Sequence, residues 1–315
     1  MIELLVQTHA GDIWEISELV TGITVTERLN NGCSKLEFSY INNDIETENG
    51  CVVRFKYGDY TFVGRIFKNS HNEKGEVTVT AYDQLRYAKA KDTIVIQEDT
   101  VTSLTKRMCN YMKFTIGTII DTKYRLATNV ADDKTWLDIV YSAISETLTY
   151  TGKLYCLRDE AGEICLRDVE DMTLNLVLGD KSLVYGYDYS KSIDDEFYNL
   201  IKIYVPNKPG TSRDDEIVVV KDAESEQKYG PLQYFELADE QTNKSQARFK
   251  AENLLKLYNR EKEILSLSCL GDTSVRAGTS FYGSIEDIKL GKRLIVSSVT
   301  HSFIPVHTMT VDVLI

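Results

Sequence analysis

Long apolar runs are missing from this chain of 315 residues; none approaches the roughly 20 that a membrane helix needs. The opening MIELLVQTHAGD has no basic region leading into an apolar core, so no secretory leader is expected, and the cytoplasm is the expected site of folding. No C-x-x-C pair occurs among the six cysteines at 33, 51, 109, 156, 165 and 269, which argues against a zinc ribbon or a thioredoxin-like centre. In a reducing compartment they are expected to be small half-buried thiols, with Cys156 and Cys165 placed to face each other across a hairpin turning at Asp159–Gly162. No basic cluster stands out against a net charge of −12, from 36 basic and 48 acidic residues, so a grip on DNA or RNA phosphates is not expected.

Catalytic signatures are equally scarce. The sequence has no G-x-S-x-G elbow, H-E-x-x-H helix, Walker-type glycine loop or EF-hand loop. The acidic runs Asp194-Asp195-Glu196 and Asp214-Asp215-Glu216 fall in loops and read as solvated turns rather than a glycosidase dyad. Cys109 has no histidine near it in sequence to act as a base. Histidine itself is rare, at positions 9, 71, 301 and 307. His301 and His307, six residues apart across Ile304-Pro305 and followed by Asp312, are the best candidates for a metal or catalytic pair. Against that, His301 shares strand register with Ile295, Val299 and Phe303, as a buried histidine bonded to backbone would. No catalytic residue, metal ligand or cofactor is therefore expected.

A hydrophobic fraction of 43% and a charged fraction of 27% describe a folded globular protein of two or three domains. To about residue 91 the chain is β-rich, with alternating runs at Ile2–Gln7, Ile23–Thr26, Lys35–Tyr40, Val52–Tyr57, Tyr60–Phe67 and Glu76–Tyr82. Gly58-Asp59 suits a two-residue hairpin, and Asn30-Asn31-Gly32 and Asn72-Glu73-Lys74-Gly75 supply further turns. Residues 92–173 read as a small α+β domain. Thr100 caps a helix with Val101, Leu104, Thr105, Met108 and Met112 on one face; Thr135 caps a second that Gly152 ends; a hairpin runs from Leu154 to Arg167. Residues 174–315 return to strands, with one amphipathic helix at about 243–262 and a polar loop at Pro206–Asp215. Tyrosines at 57, 60, 185, 187 and 189 suit a sheet edge, a subunit interface or carbohydrate contacts.

Three stretches resemble the tail hub proteins of contractile phages and phage-tail-like particles, the group that includes the hub of defective phage PBSX and late-control protein D. They are Val63-Gly64-Arg65-Ile66 with Glu76–Tyr87; Tyr229-Gly230-Pro231-Leu232-Gln233 ahead of a helix over Gln246–Leu257; and Gly271-Asp272, Ala277-Gly278, Val299-Thr300-His301 and His307–Val311. The resemblance implies two tube-like antiparallel β-barrels per subunit and a homotrimer forming a pseudo-sixfold ring. Such a ring joins a hexameric tail tube to a trimeric spike, touches baseplate and tape-measure proteins, and passes DNA only as cargo. It implies assembly in the host cytoplasm and no membrane insertion; some members of the group are labelled hydrolases, but no lytic domain is expected here. The acidic balance fits a lumen that must not hold phosphate. A peptidoglycan hydrolase and a carbohydrate-binding tail module are the rival readings.

Overall fold

A computed structural model describes residues 2–41, 45, 47–73, 75–194, 196–206, 216–238 and 242–315. The expected loop at Pro206–Asp215, the turn around residue 74 and the acidic runs at 194–196 and 214–216 lie wholly or partly outside the described residues. The fold is mainly antiparallel β, with few helices. The chain divides into two compact units, residues 1–188 with 265–315, and residues 189–264.

The first unit is built on a thirteen-stranded sheet. Its N-terminal strands follow the order Val20–Arg28, Lys35–Ile41, Glu76–Tyr82, Tyr60–His71, Val52–Tyr57, Ile2–Gln7, Ile13–Glu15. Period-two alternation decides their faces: Ile23 and Val25, Leu36, Phe38 and Tyr40, and Val53 and Phe55 all point into one core. Burying each such side chain contributes about 1.5–3 kcal/mol. The hairpin at Gly58-Asp59 closes as expected, with Tyr57 opposite Tyr60 and Gly58 at φ +57°.

The C-terminal strand Leu290–Ser302 continues this same sheet. Its first half pairs with Ser280–Ile285, and its second half pairs antiparallel with Val20–Arg28, from Ser298 opposite Arg28 to Ser302 opposite Thr24. Thr308–Leu314 lies along its other edge, and Lys262–Leu270 pairs with that strand in turn. Between Val296 and Ser298 the register slips by a β-bulge. One extra residue reverses which face each later side chain meets. Leu294 and Val296 are buried before it, and Val299, His301 and Phe303 after it. Ile295 therefore does not share the face of His301, contrary to the simple alternation.

Residues 91–172 pack around a separate apolar cluster that includes Leu104, Met108, Trp136, Val140 and Leu166. Helix Val101–Met112 is capped by Thr100 in a reciprocal box with Ser103. Helix Trp136–Thr151 is capped by Thr135, which accepts the Asp138 N–H, and ends at Gly152 with φ +72°. A ribbon of Lys91–Ile96 with Asn129–Thr135 is added that its polar sequence does not announce. In the hairpin Tyr155–Glu160 with Glu163–Asp168, Cys156 lies opposite Arg167 and Cys165 opposite Arg158. The two thiols are thus offset diagonally instead of facing each other, and both are free.

In the second unit, strand Leu200–Val205 is flanked by Glu216–Lys221, antiparallel, and Gln233–Leu237, parallel. The parallel partner is reached through a short helix, Ala223–Tyr229, capped by Asp222. Helix Lys244–Tyr258 begins with Asn243 and Gln246 in a capping box and buries Ala247 and Ala251 against Ile201, Ile203, Val205 and Val218. It stops at Tyr258, four residues before 262, because the chain turns there into strand Lys262–Leu270.

Candidate functional site

The closing hairpin drives its side chains into the N-terminal core. Phe303 stacks on His307 at 4.6 Å and meets Phe55 edge-on at 4.8 Å, while Tyr57 lies edge-on to His307 at 5.0 Å. The structure brings His301 and His307 together: His301 Nδ1 is 3.1 Å from His307 Nε2, and His301 Nε2 is 2.8 Å from the Val275 carbonyl. A carbonyl only accepts, so His301 carries its proton on Nε2, and His307 Nε2–H donates to the bare Nδ1 of His301. This chain of bonds leaves His301, 1% exposed, with neither nitrogen available to a metal. Asp312 sits on the alternate face of its strand from Met309, the cross-strand partner of His301. Among the described residues no group of three or more His, Cys, Asp or Glu is placed to hold a metal ion. Burial lowers the His301 pKa, and burial with the neighbouring His301 lowers that of His307 to about 4. Both rings are therefore neutral at pH 7.

Gly271 is what makes room for this pair. A Cβ there would lie 2.2 Å from the His307 ring, and the Gly271 N–H donates to the His307 carbonyl at 2.8 Å. Gly271→Ala is expected to cost about 1–3 kcal/mol through overpacking, read from the urea midpoint. A loss below a few tenths would mean the ring has somewhere else to go.

Beside the histidines lies a buried ion pair that sequence reasoning missed. Arg276 Nε lies 3.0 and 3.1 Å from the two Glu27 carboxylate oxygens, and Nη2 lies 2.8 Å from Oε1. The Tyr60 hydroxyl donates to Glu27 at 2.9 Å, and Arg276 Nη2 donates to the Asp159 carbonyl at 3.0 Å. Burial works to raise the Glu27 pKa, but the charge and hydrogen bonds of Arg276 outweigh it and hold the carboxyl below its ordinary value. One contact set thus fastens the N-terminal strands, the middle hairpin and the C-terminal segment. Parity was the available signal: Glu27 follows Ile23 and Val25 on the inward face.

A second polar junction joins the same parts. Asp83 accepts the Ser34 and Leu85 N–H groups at 2.7 and 3.0 Å; Asp159 accepts from Gly162 at 2.7 Å and from Gln84 Nε2 at 2.9 Å. Burial raises both carboxyls, and the charge of Asp159 raises Asp83 further. The native state therefore keeps protons that the unfolded chain releases, and stability falls as pH rises above the ordinary carboxylate range. The histidines act oppositely: their lowered pKa values cost stability as pH falls below about 6.5. Between pH 4 and 6.5 the two effects oppose each other, while from pH 6.5 to 8 the carboxyl effect acts alone, so urea midpoints are expected to decline from pH 6.5 to 8. A midpoint still rising from pH 6.5 to 8 would contradict this assignment.

Beside this region opens a concavity of about 420 Å³ whose wall includes Asp59, Thr61, Glu160, Asp272, Ser274 and Arg276. Ser274 Oγ donates to Asp272 at 2.7 Å, and no histidine lines the wall. Cys109 is buried, which pushes its thiol up to about 11, far from a nucleophilic thiolate. His9 is exposed beside the Asn49 carbonyl, and His71 ends its strand. Tyr185, Tyr187 and Tyr189 lie on strand Val184–Ser192, where Tyr187 donates to Asp287. The arrangement fastens chain segments to one another.

Comparison with known proteins gives this geometry its family. A family model described as YQBQ-like matches residues 23–314. The chain belongs to the YQBQ-like family. It is similar to the uncharacterized protein YqbQ of Bacillus subtilis (strain 168), 30% identical over 270 residues that cover 84% of this chain and 81% of the relative. The phage-like element PBSX protein XkdQ of the same strain is 29% identical over equal shares. The fold matches the 43 kDa tail protein of prophage MuSo2 from Shewanella oneidensis with TM-score 0.73 at 11% identity, covering 100% of this chain and 98% of that one. It also matches the E. coli c3393 protein, a type VI secretion component described as similar to T4 tail proteins gp27 and gp5, with TM-score 0.55 at 12% identity over 94% and 73% of the chains. This YQBQ-like chain thus has the fold of phage tail proteins. Among the described residues no helix is long and apolar enough to cross a membrane.

Proposed function

We propose that this YQBQ-like protein is the structural hub of a contractile tail or tail-like particle. It forms a homotrimeric, pseudo-sixfold ring that joins the hexameric tail tube to the trimeric spike. The reading is carried by the single sheet in which N-terminal and C-terminal strand sets meet edge to edge at Val20–Arg28 and Leu290–Ser302. Two such sets in each of three subunits would present six similar walls to a sixfold tube. On this reading residues 1–91 and 174–315 supply the two barrel domains and residues 92–173 the small domain between them. The acidic balance keeps passing DNA from adhering to the lumen. The polar junctions at Glu27–Arg276 and Asp83–Asp159 then serve rigidity and carry no chemistry. The ring assembles in the host cytoplasm and contacts spike, tube and baseplate proteins.

Mass measurement in solution combined with negative-stain imaging tests this. Threefold rings, alone or on addition of tube or spike protein, are the expected result. A monomer that stays single at high concentration and binds neither partner overturns it.

A further inference from the structure

The three-stranded sheet of the second unit has one covered face and one open face. Helix Lys244–Tyr258 covers the first. The open face carries Ile217, Tyr204 and Leu237 in one cross-strand row and Val219, Lys202 and Phe235 in the next. A sheet covered on one side ordinarily turns polar residues to water on the other. Here Ile217, Val219, Phe235 and Leu237 are 54%, 51%, 56% and 62% exposed. The charge on this face is also unusual. Its nine positions hold Lys202 and Lys221 and no carboxylate, in a chain with 48 acidic against 36 basic residues. Lys221 is held by Glu226 at 2.6 Å, whereas half-buried Lys202 has no ion-pair partner among the described residues.

We propose that this face docks an acidic amphipathic helix of another protein. The helix sets its apolar side on Ile217, Val219, Phe235 and Leu237 and a carboxylate against Lys202. The width of the sheet favours one helix: three strands about 4.8 Å apart span roughly 10 Å, which is one helix diameter. A copy of the same face is the poorer occupant, because twofold packing would set Lys202 against Lys202 without a counter-charge. One helix on so small a sheet buries less than the roughly 1,000 Å² of a free-standing interface, so the contact belongs within a larger assembly. The proposal does not depend on the hub reading.

The test places a photoreactive phenylalanine analogue at Val219 of the full chain, in the cells that make it, and maps the cross-linked peptide by mass spectrometry. The expected product is one segment of a different protein with Asp or Glu within a helical turn of the link. Its yield should fall at least tenfold when Lys202→Glu is added and hold with Lys202→Arg. A link to a second copy of this chain overturns the proposal. So does a segment without a carboxylate, a yield indifferent to Lys202→Glu, or no product at all. Co-sedimentation of the chain with tail particles, scored separately, reports on the hub reading.

Discussion

Arg276→Met is expected to destabilise the first unit by about 3–5 kcal/mol, because it strands the Glu27 carboxylate, 3% exposed, without a counter-charge. Methionine keeps much of the apolar stem of arginine, so the loss reports on charge more than on packing. The control is the double variant Glu27→Leu with Arg276→Met, which removes both charges and should recover more than half of the deficit. Urea unfolding at pH 7 measures all three. A single variant within 1 kcal/mol of the natural protein would show that Glu27 finds water or another partner. Its consequence for assembly would follow from the Asp159 contact: without Arg276 the middle hairpin loses a donor that ties it to the strands around it.

Phe303→Ala carries a similar expected cost, about 3–5 kcal/mol, by a different route. Phe303 is 4% exposed and its ring touches Phe55, Tyr57 and His307 at centroid distances of 4.8, 5.0 and 4.6 Å. Among the described residues, the other buried members of its core lie at residues 4–81, and from the C-terminal part only half-buried Ile304 packs beside Phe303. Its removal should therefore loosen residues 298–314 before the rest of the sheet, visible as faster amide exchange there than in N-terminal strands such as Lys35–Ile41. Phe303→Leu, which fills most of the space, should cost less than half as much. Slow exchange throughout 298–314 in Phe303→Ala would mean that backbone pairing alone holds the hairpin.

Much of this architecture was legible because local chemistry and tertiary packing agree. Gly58-Asp59 turned as its backbone freedom suggests, Thr100, Thr135 and Gly152 bounded their helices, and the amphipathic stretch expected at about 243–262 forms helix Lys244–Tyr258. The misses share a physical cause, which is that they depend on pairing between distant segments. A one-residue bulge near Ser297 reversed the parity from which Ile295 had been assigned. The diagonal offset of Cys156 and Cys165 is set by hairpin register, which spacing alone does not fix. Strand Asn129–Thr135 is polar and short of β-branched residues, so only its partner Lys91–Ile96 defines it. The histidines were found by their rarity, but their neutrality comes from burial, which outweighs the pull of the Val275 carbonyl towards the protonated ring and which no motif encodes. Glu27 was readable by parity, while Arg276 was not, since its loop has no period.

The pairing of Val20–Arg28 with Leu290–Ser302 also sets a clock. Thr26 and Thr300, joined through their hydroxyls at 3.1 Å, are 274 residues apart. At a synthesis rate of about 5–20 residues per second, the early strand waits roughly 15–55 s on the ribosome before its partner emerges. Throughout that interval its edge amides and carbonyls stand unpaired and open to any passing strand. The newborn chain is thus exposed to misassembly until Leu290–Ser302 emerges, and that strand is the one that ends the risk.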